Sequence, residues 1–96
     1  MAATISLGMT APAFAINPVR CNESGYTGFY QGSSPERKFC HANSGVRNVL
    51  IADINGIWPG INSGRIETNK GYFYFQRDTG PVDVPNVTVL KIIIYG

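Results

Sequence analysis

The side chains with the clearest chemical potential are Cys21, Cys40 and His41, the only cysteines and the only histidine of the 96-residue chain. Adjacent residues on a strand point to opposite faces, so Cys40 and His41 are poorly placed to form a thiol–imidazole pair or to share a metal. A metal site would need further ligands, and two cysteines in an exported chain favour a cross-link. Cys21 and Cys40 are therefore expected to form a disulfide, with His41 as a neighbouring surface residue. Closing a loop of about 20 residues stabilises by roughly 3 kcal/mol on the chain-entropy model. Catalysis would require a nucleophile with a base, paired carboxylates or a metal set. Asp53, Asp78 and Asp83 are dispersed, and an oxidised Cys40 is no nucleophile. The chain is expected to be non-enzymatic.

The aromatic residues point instead to binding. Trp58, the sole tryptophan, stands beside Pro59-Gly60, where it either anchors the core or lies in a loop that meets a sugar or a protein partner. In Tyr72-Phe73-Tyr74-Phe75 the alternation sends the phenylalanines inward and keeps the tyrosine hydroxyls near water. Trp58, Arg65, Tyr72 and Tyr74 form the candidate binding surface. The competing reading is a set of cross-strand packing contacts.

The elements that must position these residues are short strands. Residues 1–15 read as a truncated secretory leader: a small, apolar run ends in Ala13-Phe14-Ala15, a small-x-small cleavage pattern, although a basic start is missing. A tail is the other reading. Residues 16–96 then form one domain, exported from the cell. No apolar run reaches the length of a transmembrane segment. The eight basic residues are scattered, which argues against nucleic-acid binding.

Within the domain, residues 16–21 suit a short first strand, with Pro18 tolerated at an edge. Residues 26–32 suit a sharply bent strand. Asn43-Ser44-Gly45 turns the chain into a largely buried strand over residues 46–54. Asn55-Gly56 is a strong hairpin signal, with Ile57-Trp58 as the return. Residues 65–68 and 72–76 read as strand and strand around Asn69-Lys70-Gly71. A loop spans 77–85. The last strand, residues 87–94, has Leu90, Ile92 and Ile94 on one face, and Lys91 on the other to discourage edge-to-edge pairing. Without an amphipathic helix, this pattern argues for an all-β sandwich or barrel.

Cys40-His41-Ala42-Asn43-Ser44-Gly45, the hydrophobic run 46–54 and Gly60-Ile61-Asn62-Ser63-Gly64 together resemble the bacterial βγ-crystallin-like group that includes the Streptomyces killer-toxin-like proteins. Members carry a Cys-(Phe)-Ala-Asn-(Ala)-Gly element, a hydrophobic strand, and a Ser-Gly-Asn-Asn-like turn before an aromatic strand. The resemblance implies a Greek-key β-sandwich of βγ-crystallin type and a small secreted protein with cytotoxic or antifungal activity. Its target would be a cell-wall or membrane component of another microbe. His41 replaces the usual aromatic, and Gly25 sits where the crystallin signature ending in Tyr30-Gln31-Gly32 has its first aromatic. The Asn/Asp-Asn/Asp-x-x-Ser/Thr-Ser calcium element has no good counterpart, so no cofactor is expected. The alternative function is inhibition of an extracellular protease by a rigid loop, 57–64 or 77–85.

Overall fold

A computed structural model describes residues 16–96; the expected leader lies outside them. The described chain is all-β and contains no helix. Its strands are β1 (Asn17–Val19), β2 (Thr27–Gln31), β3 (Arg37–Ala42), β4 (Gly45–Trp58), β5 (Gly64–Thr68), β6 (Gly71–Phe75) and β7 (Val82–Ile94). They form one antiparallel, seven-stranded sheet in the order β1-β3-β2-β4-β7-β5-β6.

The two longest strands, β4 and β7, lie side by side at its centre, and the others are arranged about them with approximate two-fold symmetry. Each half consists of a hairpin followed by a long strand that returns beside the hairpin's first member, giving β3-β2-β4 and β6-β5-β7. Ile51 pairs with Val89 at the middle of the β4–β7 ladder. Counted from that pair at one constant spacing, Asn48-Val49 and Ile54 correspond to Asn86-Val87 and Ile92. The inward positions correspond too. Val49 and Ile51 pack against a core that includes Ile54, Val87, Val89 and Ile92, together with Phe29, Ile57, Ile66 and Phe75.

Such long strands stay continuous by bulging. The β4–β7 register shifts three times between Asn48 and Gly56, and each bulge bends and twists the ladder. Asp53 takes a left-handed conformation (φ 63°) within β4. Its carbonyl accepts the Gly32 N–H at 3.0 Å, and its carboxylate accepts Asn86 Nδ2–H at 2.6 Å. The β2–β3 turn is thereby clamped to β4. The other half repeats the device. Asn69, at the β5–β6 turn, donates its N–H to Thr88 O at 3.1 Å and accepts the Thr88 N–H on Oδ1 at 2.8 Å.

Several sequence expectations are corrected here. Asn55-Gly56 is not a hairpin turn, because β4 runs through it to Trp58. The Asn55 amide instead donates to Gly32 O. A side chain at Gly56 would approach the Tyr30 ring to 3.0 Å, so close packing, not a turn, requires the glycine. Residues 46–54 are not largely buried, since Val46 and Leu50 are exposed on the outer side. β7 begins at Val82, inside the expected loop, and carries Pro85 in an exposed position. A register shift beside Lys91 breaks the expected alternation, so that Val89 is buried and Leu90 exposed. Lys91 guards no edge; β7 is central, and Lys91 faces Glu67. Pro18 does lie on an edge strand, β1.

The Cys21–Cys40 disulfide is present, with the two Cα atoms 5.2 Å apart. His41 is buried rather than on the surface. β3 is flanked on one side by β1 and on the other by β2, and Phe39 breaks its regular extension with a φ of 53°. The His41 ring packs edge-on against Phe29, with centroids 6.2 Å apart, and its Nδ1 has no hydrogen-bond partner. Burial holds the imidazole below its ordinary pKa of 6.5, opposed by a hydrogen bond with the Phe39 backbone and reinforced by the Arg47 charge.

The sign of the consequence follows. As pH falls below 6.5 the unfolded chain takes up a proton that the folded chain resists, so stability declines with acidification. The slope from this one group is at most about 1.4 kcal/mol per pH unit. Urea unfolding between pH 7.5 and 5.5 should show the decline, and His41→Phe should flatten it. An unchanged slope in that variant would rule His41 out as its source.

Candidate binding surfaces

The β5–β6 hairpin presents one candidate surface. Thr68 stabilises its turn: Oγ1 donates to Gly71 O at 2.7 Å and accepts the Lys70 N–H at 3.0 Å. From there the register builds two rows across the outer face. Tyr74, Arg65, Ile93 and Val46 lie opposite one another in sequence across β6, β5, β7 and β4. Tyr72, Glu67, Lys91 and Asn48 form the neighbouring row. Tyr72 and Tyr74 are 58% and 60% exposed, while Phe75 is buried and Phe73 packs partly against the core. The alternation read from the sequence holds on β6.

Charge fixes this face as well as packing. The Arg65 guanidinium stands 5.2 Å from the Tyr72 ring centroid and pairs with Glu67 at 3.1 Å. Glu67 also faces Lys91 at 3.9 Å. The hydrogen bond with Glu67 chiefly raises the Arg65 pKa, keeping the cation charged. A cation over a tyrosine ring limits the motion of both groups. The result is an outward face with two exposed tyrosines and a positioned cation.

Trp58 belongs to a second place. It ends β4 opposite Gly28 of β2, and its indole N–H donates to Ser24 O at 2.7 Å. The Arg37 guanidinium lies 6.0 Å from the Trp58 ring centroid. Two open clefts share Trp58 and Ser24. One, of about 310 Å³, is also bounded by Glu23, Tyr30 and Arg37. The other, of about 270 Å³, reaches Gly60, Ile61 and Asp78.

The structure therefore groups Arg65, Tyr72 and Tyr74 and places Trp58 apart, half-buried between clefts. Sequence reasoning missed Glu23, Tyr30 and Arg37 as its neighbours. The disulfide and the β2–β3 hairpin bring these residues to Trp58, and no local pattern ties them to a residue so far along the chain.

Among the described residues, no group of three or more His, Cys, Asp or Glu side chains is arranged to hold a metal ion. No helix among them is long and apolar enough to cross a membrane. Both surfaces combine aromatic faces with fixed cations, chemistry suited to non-covalent contact with a polar or anionic partner. Compared with protein-family models, curated proteins and solved structures, the chain gives no match.

Proposed function

We propose that this is a secreted, non-enzymatic βγ-crystallin-like protein that binds a cell-wall or membrane component of a target microbe. The carrying observation is the outward pair Tyr72 and Tyr74 beside Arg65 on a hydrogen-bonded face. Rigid aromatic anchors next to a charged group are the residues that most often dominate recognition. The disulfide supports export, since such bonds persist in oxidising surroundings.

The strand arrangement supports the fold part of this reading. Bending at the β4 and β7 bulges would fold the sheet over into two layers. One would hold β3-β2 with the C-terminal part of β4 and the N-terminal part of β7; the other would hold β6-β5 with the reciprocal parts. Each hairpin with its bent returning strand would then make one Greek-key motif of the sandwich this reading calls for.

Growth inhibition and cell binding on yeasts and filamentous fungi test the proposal. The purified protein should bind and inhibit at least one such organism. Tyr72→Ala with Tyr74→Ala should weaken binding by about tenfold or more while leaving the unfolding midpoint nearly unchanged. Absence of both binding and inhibition across the panel would defeat the antifungal reading.

Inhibition of an extracellular protease is the second reading, favoured by one feature of the connection between β4 and β5. Ile61 is 59% exposed there, on a loop braced by Ile61 N–H to Gly25 O at 3.0 Å and Asn62 N–H to Pro59 O at 3.2 Å. The other sequence candidate, 77–85, is partly strand and less suited. Nanomolar inhibition of a secreted protease, abolished by Ile61→Asp, would establish this reading; its absence across a panel would dismiss it.

A further inference from the structure

The two ends of the sheet are treated differently. At one end β1 is three residues long and contains Pro18, two features that blunt an edge. At the other end β6, Gly71-Tyr72-Phe73-Tyr74-Phe75, has neither charge nor proline, and its register with β5 is unbroken by a bulge. Among the described residues β6 pairs with β5 alone, so one side of its backbone still presents N–H and C=O groups for pairing.

From this edge we infer that β6 pairs antiparallel with β6 of a second copy of the chain, about a two-fold axis through Phe73. A two-fold interface needs a surface complementary to itself, and the sequence of β6 meets that condition. With Phe73 opposite its own copy, Tyr72 faces Tyr74 of the second chain and Gly71 faces Phe75, twice over. These pairings are the same whichever alternate set of backbone groups faces outward. Neither a charge nor a proline interrupts the ladder. Phe73 gives a further reason for the same partner. It faces the core yet is only partly buried, and a second Phe73 across the axis covers the remaining surface. Aromatic cross-strand pairs are among the favourable ones.

The inference concerns the edge of β6 and is independent of what the outer face binds. Sedimentation velocity and light scattering on the full chain, from micromolar to near-millimolar concentration, should show a monomer–dimer equilibrium. Amide exchange in β6 should slow as the dimer fills. Two double variants test the register. Y72K with Y74K sets like charges opposite each other at both symmetric pairs and should weaken the dimer by about tenfold or more. Y72K with Y74E alters the same two exposed positions but sets opposite charges in register, and should keep the dimer. A chain that stays monomeric throughout would overturn the inference. So would a dimer equally insensitive to both variants, or one that captures an unrelated extended peptide at β6 in preference to itself.

Discussion

Replacing Cys21 and Cys40 together by serine is expected to lower the unfolding free energy by about 3 kcal/mol, the amount associated with a closed loop of this size. The bond joins positions 19 residues apart, and the loop it closes contains β2 and the wall of the Trp58 clefts. For a domain of this size such a loss is a large fraction of total stability. It should also be local in its first effects. β1 is held by β3 and by the disulfide, so its amides and the 22–24 segment should exchange fastest once the bond is gone. The β5–β6 hairpin should keep its protection. Urea unfolding followed by Trp58 fluorescence measures the first effect, and residue-resolved hydrogen exchange the second. A double-serine variant as stable as the parent would mean that the native contacts alone hold the front of the sheet.

Gly60→Ala is expected to be comparably damaging, with a loss of about 3 kcal/mol from backbone strain and overlap acting together. Gly60 has a φ of 63°, and a Cβ there would lie 2.2 Å from Gly25 O and 2.8 Å from Tyr26 O. Both are main-chain atoms and cannot rotate aside. The surroundings are tied down by Ile61 N–H to Gly25 O and by Asp78 N–H to Gly60 O, at 3.0 and 2.9 Å. Gly80→Ala is the internal control. Its φ is also positive, 79°, but nothing lies within 4 Å of the added carbon. That variant should lose only about 1 kcal/mol, the conformational part. Equal losses in the two would show that overlap at Gly60 is relieved by movement of the 25–26 segment.

The sequence was most legible where local chemistry alone decides the outcome. Alternation on Tyr72-Phe73-Tyr74-Phe75 held because β6 keeps unbroken register with β5. The disulfide was readable because only two cysteines exist. It failed where distant strands set the environment. Asn55-Gly56 has the composition of a tight turn, yet Tyr30 and Gly32, both from the β2 side, determine what it does. His41 looked solvent-exposed because nothing nearby in sequence shows that β1 and β2 flank β3 on either side. The left-handed Asp53 is explained by Gly32 and Asn86, far away along the chain. The symmetry of the sheet had a faint signature, Asn48-Val49 against Asn86-Val87, too short to be recognised before Ile51 and Val89 were seen to pair. Trp58 was grouped with Arg65, Tyr72 and Tyr74 on the sequence, but its neighbours come from the disulfide-closed loop.

Because β4 and β7 each complete the ladder of the opposite half, neither hairpin can fully bury its apolar side until the C-terminal strand has returned to the middle of the chain. Assembly must wait for non-local partners such as Gly45 and Ile94, so folding should be slow and concerted rather than stepwise from one end. A nascent chain lacking β7 would leave Ile54, Ile57 and Phe29 without the cover of Val84, Val87, Val89 and Ile92, and would have to be sheltered in that state.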